Sequence, residues 1–376
     1  MMIDAAGRKI ISERRGGRII VNGADTVMLG SNDYLGLSLD ERVLAATSEA
    51  IKLYGTGTGV YPAFATTVLH EELRQTLASF LQVEDVLLFS SGGCANAGVL
   101  TTLAEAGDVI ISDRLNHASI IDGCRLSRAD VLPYKNRDIN DLEVVLRKTT
   151  KAHRRLIVTD GVFSMEGGAA PLQEIYALAL RYDAQLMVDE AHALGVVGPN
   201  GRGTAPFRGL PNGSMGLVLT GSFSKALGGA SGGFVAGSND VVSRLRAHSR
   251  SFIFTMGMTT ANAAAALAAL KICQSDPALL DRLSANLAYL RASFHSHDLP
   301  FLDSDSAITA LIIGGEDRAR RISSTLSGKG VYAPAMTYPV VAEGRARLRI
   351  QVSAAHAVAD LDHAALLIAD LLNGSA

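Results

Sequence analysis

The chain has 376 residues, 48% hydrophobic and 19% charged, with a formal net charge of −2. That length carries a large domain and a smaller one around a substantial core, and the composition is that of an ordinary globular protein, not a disordered or membrane-embedded one. Near-neutral charge, no tryptophan and no basic run interleaved with aromatics leave no electrostatic case for nucleic acid or an anionic membrane as partner.

Cys94, Cys124 and Cys273 are an odd number with no Cys-x-x-Cys spacing, which fits a reducing compartment and speaks against a disulfide scaffold or a structural zinc. The first residues lack the apolar core of a signal peptide, and no apolar stretch is long enough to span a bilayer. The expectation is a cytoplasmic protein without membrane insertion.

In chain order, residues 18–21 and 26–29 read as strands around the turn Asn22-Gly23-Ala24-Asp25. Ser31-Asn32-Asp33-Tyr34-Leu35-Gly36 reads as a loop, and residues 41–54 and 69–81 carry helical periodicity. Strands at 86–89, 109–112, 156–159, 186–189, 217–220 and 233–236 then alternate with helices that include 95–105, 139–147 and 172–181. Several of these strands are continuous apolar runs, the pattern of a parallel sheet covered by helices on both faces. The alternation stops near Thr260. Helices at 261–274 and 278–294 follow, then a strand at 308–313, a helix at 319–328, a strand at 348–352 and a last helix to residue 372. This predicts an α/β protein with an N-terminal segment (1–40), a large domain with a mostly parallel sheet (41–260) and a smaller α+β C-terminal domain (261–376).

Chemistry concentrates in a few stretches. Thr220-Gly221-Ser222-Phe223-Ser224-Lys225-Ala226-Leu227-Gly228-Gly229 follows an apolar strand. Desolvation favours the neutral amine of a lysine, as imine chemistry requires, whereas an ordinary lysine in a loop would be solvated. Val188-Asp189-Glu190-Ala191-His192 puts a carboxylate at a strand end, where open α/β sheets gather ligand groups; a helix cap is the plainer role for it. Together, Asp189 and Lys225 are the set a pyridoxal cofactor needs, a carboxylate to keep the pyridine nitrogen protonated and a lysine to hold the aldehyde. His192 is placed to reach the phenolic oxygen, or is a core histidine. Ser90-Ser91-Gly92-Gly93-Cys94 opens a helix whose N–H groups suit a phosphate, with Ser222 as a further hydroxyl; capping by Ser91 needs no ligand. His117 follows another strand end, where an imidazole can stack on a planar ring. The histidines lack metal-ligand spacing, so no metal is expected, and Gly55-Thr56-Gly57-Thr58-Gly59 lies between helices, not after a strand, so it is no nucleotide fingerprint.

The lysine motif resembles that of the α-oxoamine synthases, fold-type-I pyridoxal-phosphate enzymes of the aspartate aminotransferase-like class. So do residues 113–122, Thr159-Asp160-Gly161-Val162-Phe163-Ser164-Met165-Glu166-Gly167, residues 189–203, and Arg347-Leu348-Arg349 with Ala354-Ala355-His356, in the family's order. The resemblance implies an enzyme that condenses a small amino acid with an acyl-CoA, releasing CoA and carbon dioxide to give an aminoketone. It implies Lys225 as imine former and proton carrier, Asp189 on the pyridine nitrogen and His117 stacked on the ring. His192 and Ser164 would lie near the phenolic oxygen, Gly92 and Gly93 near the phosphate, and Arg349, assisted by Asn32, on the amino acid's carboxylate. It also implies a homodimer with the active site at the interface. Residues 113–122 and 338–356 look most like glycine C-acetyltransferase, with 8-amino-7-oxononanoate synthase and serine palmitoyltransferase as alternatives.

Two stretches depart from the family. Val60-Tyr61-Pro62-Ala63-Phe64-Ala65-Thr66-Thr67-Val68 has Tyr61 where relatives carry an arginine and Ala65 for a glycine, by the acyl pocket, which predicts a more apolar acyl group than acetyl or succinyl. Met256 stands where relatives have a hydroxyl that reaches the neighbouring subunit's cofactor phosphate, with Thr255 as a candidate substitute. The competing readings are an aminotransferase or lyase of the same fold, a serine acyl-enzyme built on Ser222-x-x-Lys225, and a regulatory subunit. The second lacks a Lys-Thr-Gly and leaves Asp189 unexplained; the third is at odds with the presence of Lys225.

Overall fold

The structure is a computed structural model that describes residues 9–374. The chain opens with β1 (Ile11–Arg15), β2 (Arg18–Val21), β3 (Ala24–Met28), α1 (Glu41–Tyr54) and α2 (Val68–Leu81). It continues through β4 (Asp85–Phe89), α3 (Gly92–Leu103), β5 (Val109–Asp113), α4 (Ala118–Leu126), β6 (Asp130–Tyr134), α5 (Ile139–Arg147), β7 (Arg155–Asp160) and α6 (Leu172–Arg181). Then come β8 (Ala184–Asp189), α7 (Thr204–Phe207), β9 (Leu217–Ser222), β10 (Gly233–Gly237), α8 (Asn239–His248), α9 (Arg250–Ile253) and α10 (Thr260–Ser275). The last part holds α11 (Ala278–Ser296), β11 (Ile308–Gly314), α12 (Glu316–Gly328), β12 (Val331–Tyr332), β13 (Ala335–Met336), β14 (Ala346–Gln351) and α13 (Val358–Asn373).

Two compact units emerge. One comprises Asp40–Phe163 and Ala169–Asp276; the other comprises the described residues of Met1–Leu39, Ser164–Gly168 and Pro277–Ala376. The chain therefore leaves the larger unit at Asp276, after α10, and not at residue 260 where the strand–helix alternation ends. The reason is packing: the alanine-rich α10 buries its small side chains against α1 and α2 of the same unit.

The larger unit is built on a seven-stranded sheet in the order β4-β10-β9-β8-β7-β5-β6. Its strands run parallel except β10, which is antiparallel to both β4 and β9. The central strands are buried along most of their length, so their apolar runs face helices on both sides. On one face Ala95, Val99 and Leu100 of α3 pack with Val158, Met187, Val218 and Val235 of the sheet. β6 escapes a reading by apolar pattern because it is an exposed edge strand carrying Pro133, a residue tolerated only where one ladder is missing.

The smaller unit contains two sheets, β1-β2-β3-β12 and β11-β14-β13, with α11, α12 and α13. The β2–β3 hairpin closes on two residues, Asn22 and Gly23, both at positive φ (51° and 79°), the type I′ geometry that asparagine and glycine favour. Residues 164–168 join this unit through Gly167, whose carbonyl accepts from the hydroxyls of Ser304 (2.8 Å) and Ser306 (2.9 Å), and through a 2.8 Å ion pair between Glu166 and Arg347.

Candidate active site

Four parallel strands end side by side in polar residues: Asp113 on β5, Asp160 on β7, Asp189 on β8 and Ser222 on β9. A cavity of about 260 Å³ opens at these ends. Around it the fold gathers Ser91, Gly92, Gly93, His117, Asp189, His192, Ser222 and Lys225, residues drawn from four separate stretches of sequence.

Lys225 is half-buried in the turn after β9. Gly229 donates its N–H to the Lys225 carbonyl at 3.2 Å, and Gly228 and Gly229 take φ values of 79° and 62°. Consecutive left-handed residues strain any side chain, so the turn that presents the lysine requires the glycine pair.

Asp189 is buried, and both its oxygens are occupied. Asn96 donates to Oδ2 at 2.7 Å and the Ala191 N–H to Oδ1 at 2.9 Å. Asn96, which motif reading passes over, lines the cavity as well as holding Asp189. Lying 1% exposed in α3, it also donates to Ser119 Oγ (2.9 Å) and accepts from the Thr220 hydroxyl (2.7 Å). The available signal was an amide in an otherwise apolar helix, since a buried amide must find partners.

His117 caps α4. Its Nδ1 accepts from the Ser119 N–H at 3.2 Å and lies 2.8 Å from Ser119 Oγ, which leaves the proton of the neutral ring on Nε2. The ring is solvent-accessible at the cavity, yet the dense protein around it lowers its pKa; the Lys225 charge adds to this and the Asp189 carboxylate opposes it. A neutral imidazole is a flat surface able to lie against a ring. His192 is buried and lines the same cavity.

Ser91 caps α3 by accepting from the Cys94 N–H at 3.1 Å, so its hydroxyl serves the helix. The N–H groups of Gly92 and Gly93 stand in the first turn of α3, which has no preceding helical carbonyls to receive them. A Cβ on Gly92 would come within 3.0 Å of the Ser222 Cβ, so glycine permits the loop to lie against β9. Ser222 Oγ contacts Ser224 Oγ at 2.7 Å and donates to the Gly232 carbonyl at 3.2 Å. The cavity thus offers anion-binding N–H groups, a fixed carboxylate, a half-buried amine and a neutral imidazole. That donor set fits the phosphate, ring nitrogen, aldehyde and face of pyridoxal phosphate.

Arg349, Asn32 and Ser164 belong to the smaller unit. Arg349 on β14 is buried, and burial pulls its pKa below that of an ordinary arginine. Its Nε donates to the Ser164 carbonyl at 2.5 Å and its Nη1 to Gln351 Oε1 at 3.2 Å, while Nη2 has no partner among the described residues. Asn32 reaches the arginine through Gln351, whose Nε2 donates to Asn32 Oδ1 at 2.5 Å and to the Tyr34 oxygen at 3.3 Å. Gln351 and Tyr34 were not singled out from sequence, because only the fold aligns them with Asn32.

The two divergent stretches meet in the larger unit. A second cavity, about 110 Å³, is lined by Val60, Pro62, Ala65, His70, Met256 and Met258 among others. The Thr255 hydroxyl donates to the Ser251 carbonyl at 2.8 Å.

Residues 24–368 match the family described as aminotransferase class I and II. Over 357 residues the chain is 42% identical to an 8-amino-7-oxononanoate synthase of Bacillus subtilis, covering 95% of this chain and 90% of that one. A putative 8-amino-7-oxononanoate synthase of Bacillus licheniformis is 44% identical over 353 residues, 93% of this chain and 90% of its own. Among solved structures, a serine palmitoyltransferase of S. paucimobilis with a bound PLP–myriocin aldimine superposes with a TM-score of 0.93 at 29% identity, covering 97% of this chain and 92% of that one. An 8-amino-7-oxononanoate synthase from Francisella tularensis superposes at 0.78 with 26% identity, covering 92% and 97%. These relatives favour the oxononanoate and serine palmitoyltransferase branches over glycine C-acetyltransferase, the branch suggested by residues 113–122 and 338–356. By the resemblance, the motifs in those stretches belong to the cofactor and carboxylate machinery common to the branches and so do not separate them. The chain belongs to the α-oxoamine synthase family: it is a fold-type I, pyridoxal-phosphate-dependent acyltransferase whose reaction class is decarboxylative condensation of an amino acid with an acyl-CoA.

Proposed function

We propose that the enzyme joins alanine to a seven-carbon acyl-CoA that ends in a carboxylate, giving 8-amino-7-oxononanoate, CoA and carbon dioxide. What carries the choice is the identity of 42–44%, sustained over more than nine-tenths of the chain, with synthases named for that product. The product in those relatives' name can be divided by carbon count. Dividing the product at the new bond between its ketone and amine carbons leaves the two carbons that alanine keeps and a seven-carbon acid fragment. That acyl chain carries more methylenes than acetyl or succinyl, in keeping with the apolar part of the lining contributed by Val60, Pro62, Ala65 and Met256.

The proposed roles follow from the donors present. When bound, pyridoxal phosphate supplies an aldehyde that couples to amines and a protonated ring that accepts electrons. Asp189, held by Asn96 and Ala191, keeps the ring nitrogen protonated. The N–H groups of Gly92 and Gly93, at the helix end capped by Ser91, bind the phosphate with Ser222. His117 lies on the ring, and His192 and Ser164 serve its phenolic oxygen. Lys225 holds the aldehyde and moves the proton at the amino acid's Cα. Arg349 takes the substrate carboxylate on its unpartnered Nη2, with Asn32 steadying it through Gln351. Exposed Phe64, Val68, Phe254 and Met256 support a homodimer, and three free cysteines support a cytoplasmic setting.

A second reading, serine with a long uncharged acyl-CoA, is favoured by the higher TM-score to serine palmitoyltransferase. CoA thiol release from alanine, serine and glycine, each with acetyl-, heptanedioyl- and palmitoyl-CoA, separates the readings. Alanine with heptanedioyl-CoA is expected to give the highest kcat/KM. Serine with palmitoyl-CoA as the best pair would transfer the enzyme to the second reading, and acetyl-CoA as the best donor would overturn both.

A further inference from the structure

Three neighbouring parallel strands, β5, β7 and β8, each end in an aspartate, with Asp160 in the middle. Asp160 and Asp189 are direct partners in the ladder between β7 and β8, and both line the cavity. Adjacent strands lie about 4.8 Å apart, so the Asp160 and Asp189 carboxyl groups are close neighbours, with Asp113 one position out of register on β5.

Their hydrogen bonds are unequal. Asp113 accepts three donors: the N–H groups of Leu115 (2.9 Å) and Arg137 (2.9 Å) and the Asn136 amide (3.0 Å). Asp189 accepts two, from Asn96 and Ala191. Asp160, 3% exposed, accepts a single donor among the described residues, the His117 N–H on Oδ1 at 3.3 Å. Carboxylates in close proximity and away from water cannot all ionise, and the least hydrogen-bonded one keeps its proton. The groups facing Asp160 are Asp189 from β8, Asp113 from β5, the Tyr134 phenol from β6, the His117 main chain ahead of α4 and the Lys225 amine after β9.

We propose that Asp160 is a neutral, proton-holding carboxyl and a positioning residue of the site. It fixes the main chain of His117 by accepting its N–H, and by staying uncharged it leaves Asp189 as the anion that meets the cofactor. Burial and the Asp189 carboxylate both push the Asp160 pKa well above the usual carboxylate range, in the direction this requires. The functional sense rests on the assignment of Asp189 to the ring nitrogen; the protonation itself does not.

The test uses purified enzyme with and without pyridoxal phosphate. Infrared spectra of the cofactor-stripped protein, with and without carbon-13 aspartate, report protonated aspartate at neutral pH. A Glu190→Gln background removes the other strongly raised buried carboxyl. The expected result is an isotope-sensitive carboxylic-acid band that disappears in Asp160→Asn. In the same variant, the pH midpoint of the lysine–cofactor absorbance should stay within about 0.3 unit of wild type, and the Kd for pyridoxal phosphate within about twofold. Asp160→Ala, equally uncharged but without an acceptor for His117, should weaken cofactor binding about tenfold. No aspartic-acid band in the wild type overturns the proposal whether or not any variant folds. So does a band that persists in Asp160→Asn, or a midpoint displaced by about one unit or more. Loss of Asp189's proposed role would instead appear as an unchanged absorbance titration in Asp189→Asn, a separate outcome.

Discussion

A buried guanidinium nitrogen without a partner is rare, because leaving it unpaired costs about 1–3 kcal/mol, more when charged. Arg349 keeps one such nitrogen in a setting that otherwise satisfies it through Ser164 and Gln351. Arg349→Lys retains the charge and loses the fork that pairs with a carboxylate. We expect the KM for the amino acid to rise roughly tenfold to a hundredfold, with the KM for acyl-CoA nearly unchanged, in steady-state kinetics. Equal rises in both constants would remove Arg349 from the amino-acid carboxylate. At this scale the sequence was partly legible. Lys225 and Asp189 stand out because a short contiguous context, an apolar strand and then small residues, already states their environment. Asn96, Asp160 and Gln351 do not, because each depends on at least one partner between 23 and 319 positions away in the chain.

Helix α3 and the short helix α7 show how elements are fastened to the sheet end. Asn96 ties α3 to β8 through Asp189, to β9 through Thr220 and to α4 through Ser119. Asn96→Ala leaves those buried partners unmatched and is expected to lower unfolding stability by about 2–3 kcal/mol in urea titration. A loss below ~0.5 kcal/mol would mean that the network is dispensable. Glu190 accepts the N–H groups of Thr204 (3.0 and 2.9 Å) and Ala205 (3.3 Å) at the start of α7. Burial nevertheless raises its pKa from 4.5 to about 7. Between those values the folded protein binds a proton that the unfolded chain does not, so this group's stabilisation is full below 4.5 and fades as pH rises through about 7. The difference in unfolding free energy between wild type and Glu190→Gln should therefore fall with rising pH across that window, by on the order of 3 kcal/mol at most. A difference that is flat or rises with pH would contradict the raised pKa.

For the molecule as a whole, alternation of apolar strands and periodic helices made the larger sheet readable before any coordinates. Elements whose stability comes from position and not composition were invisible: the exposed β1, the proline-bearing edge strand β6, and the two-residue strands β12 and β13. The limits of the two units were hidden for the same reason, since α10 is assigned by what it packs on and not by what precedes it. The residues lining the 260 Å³ cavity all come from the larger unit, so pyridoxal phosphate should stabilise that unit by mass action. At a hundredfold excess over Kd the gain is about 2.7 kcal/mol, visible as a raised unfolding temperature that is lost in Lys225→Ala.

Strand β10 has a further consequence, for the order in which the enzyme comes into being. Phe89, at the end of β4, becomes a neighbour of β9 only through Gly233, which pairs with both Phe89 and Ser222. The halves of the cradle are therefore joined by the last strand of their sheet to leave the ribosome, across a long chain closure that is slow to form. A nascent chain that stops short of β10 has both the Ser91–Gly93 turn and the strand leading to Lys225, yet lacks the strand that is hydrogen-bonded to both β4 and β9. Cofactor capture then belongs to the end of folding: added pyridoxal phosphate should slow unfolding while leaving the refolding rate unchanged in stopped-flow measurements. Faster refolding with cofactor present would mean that the cradle forms early.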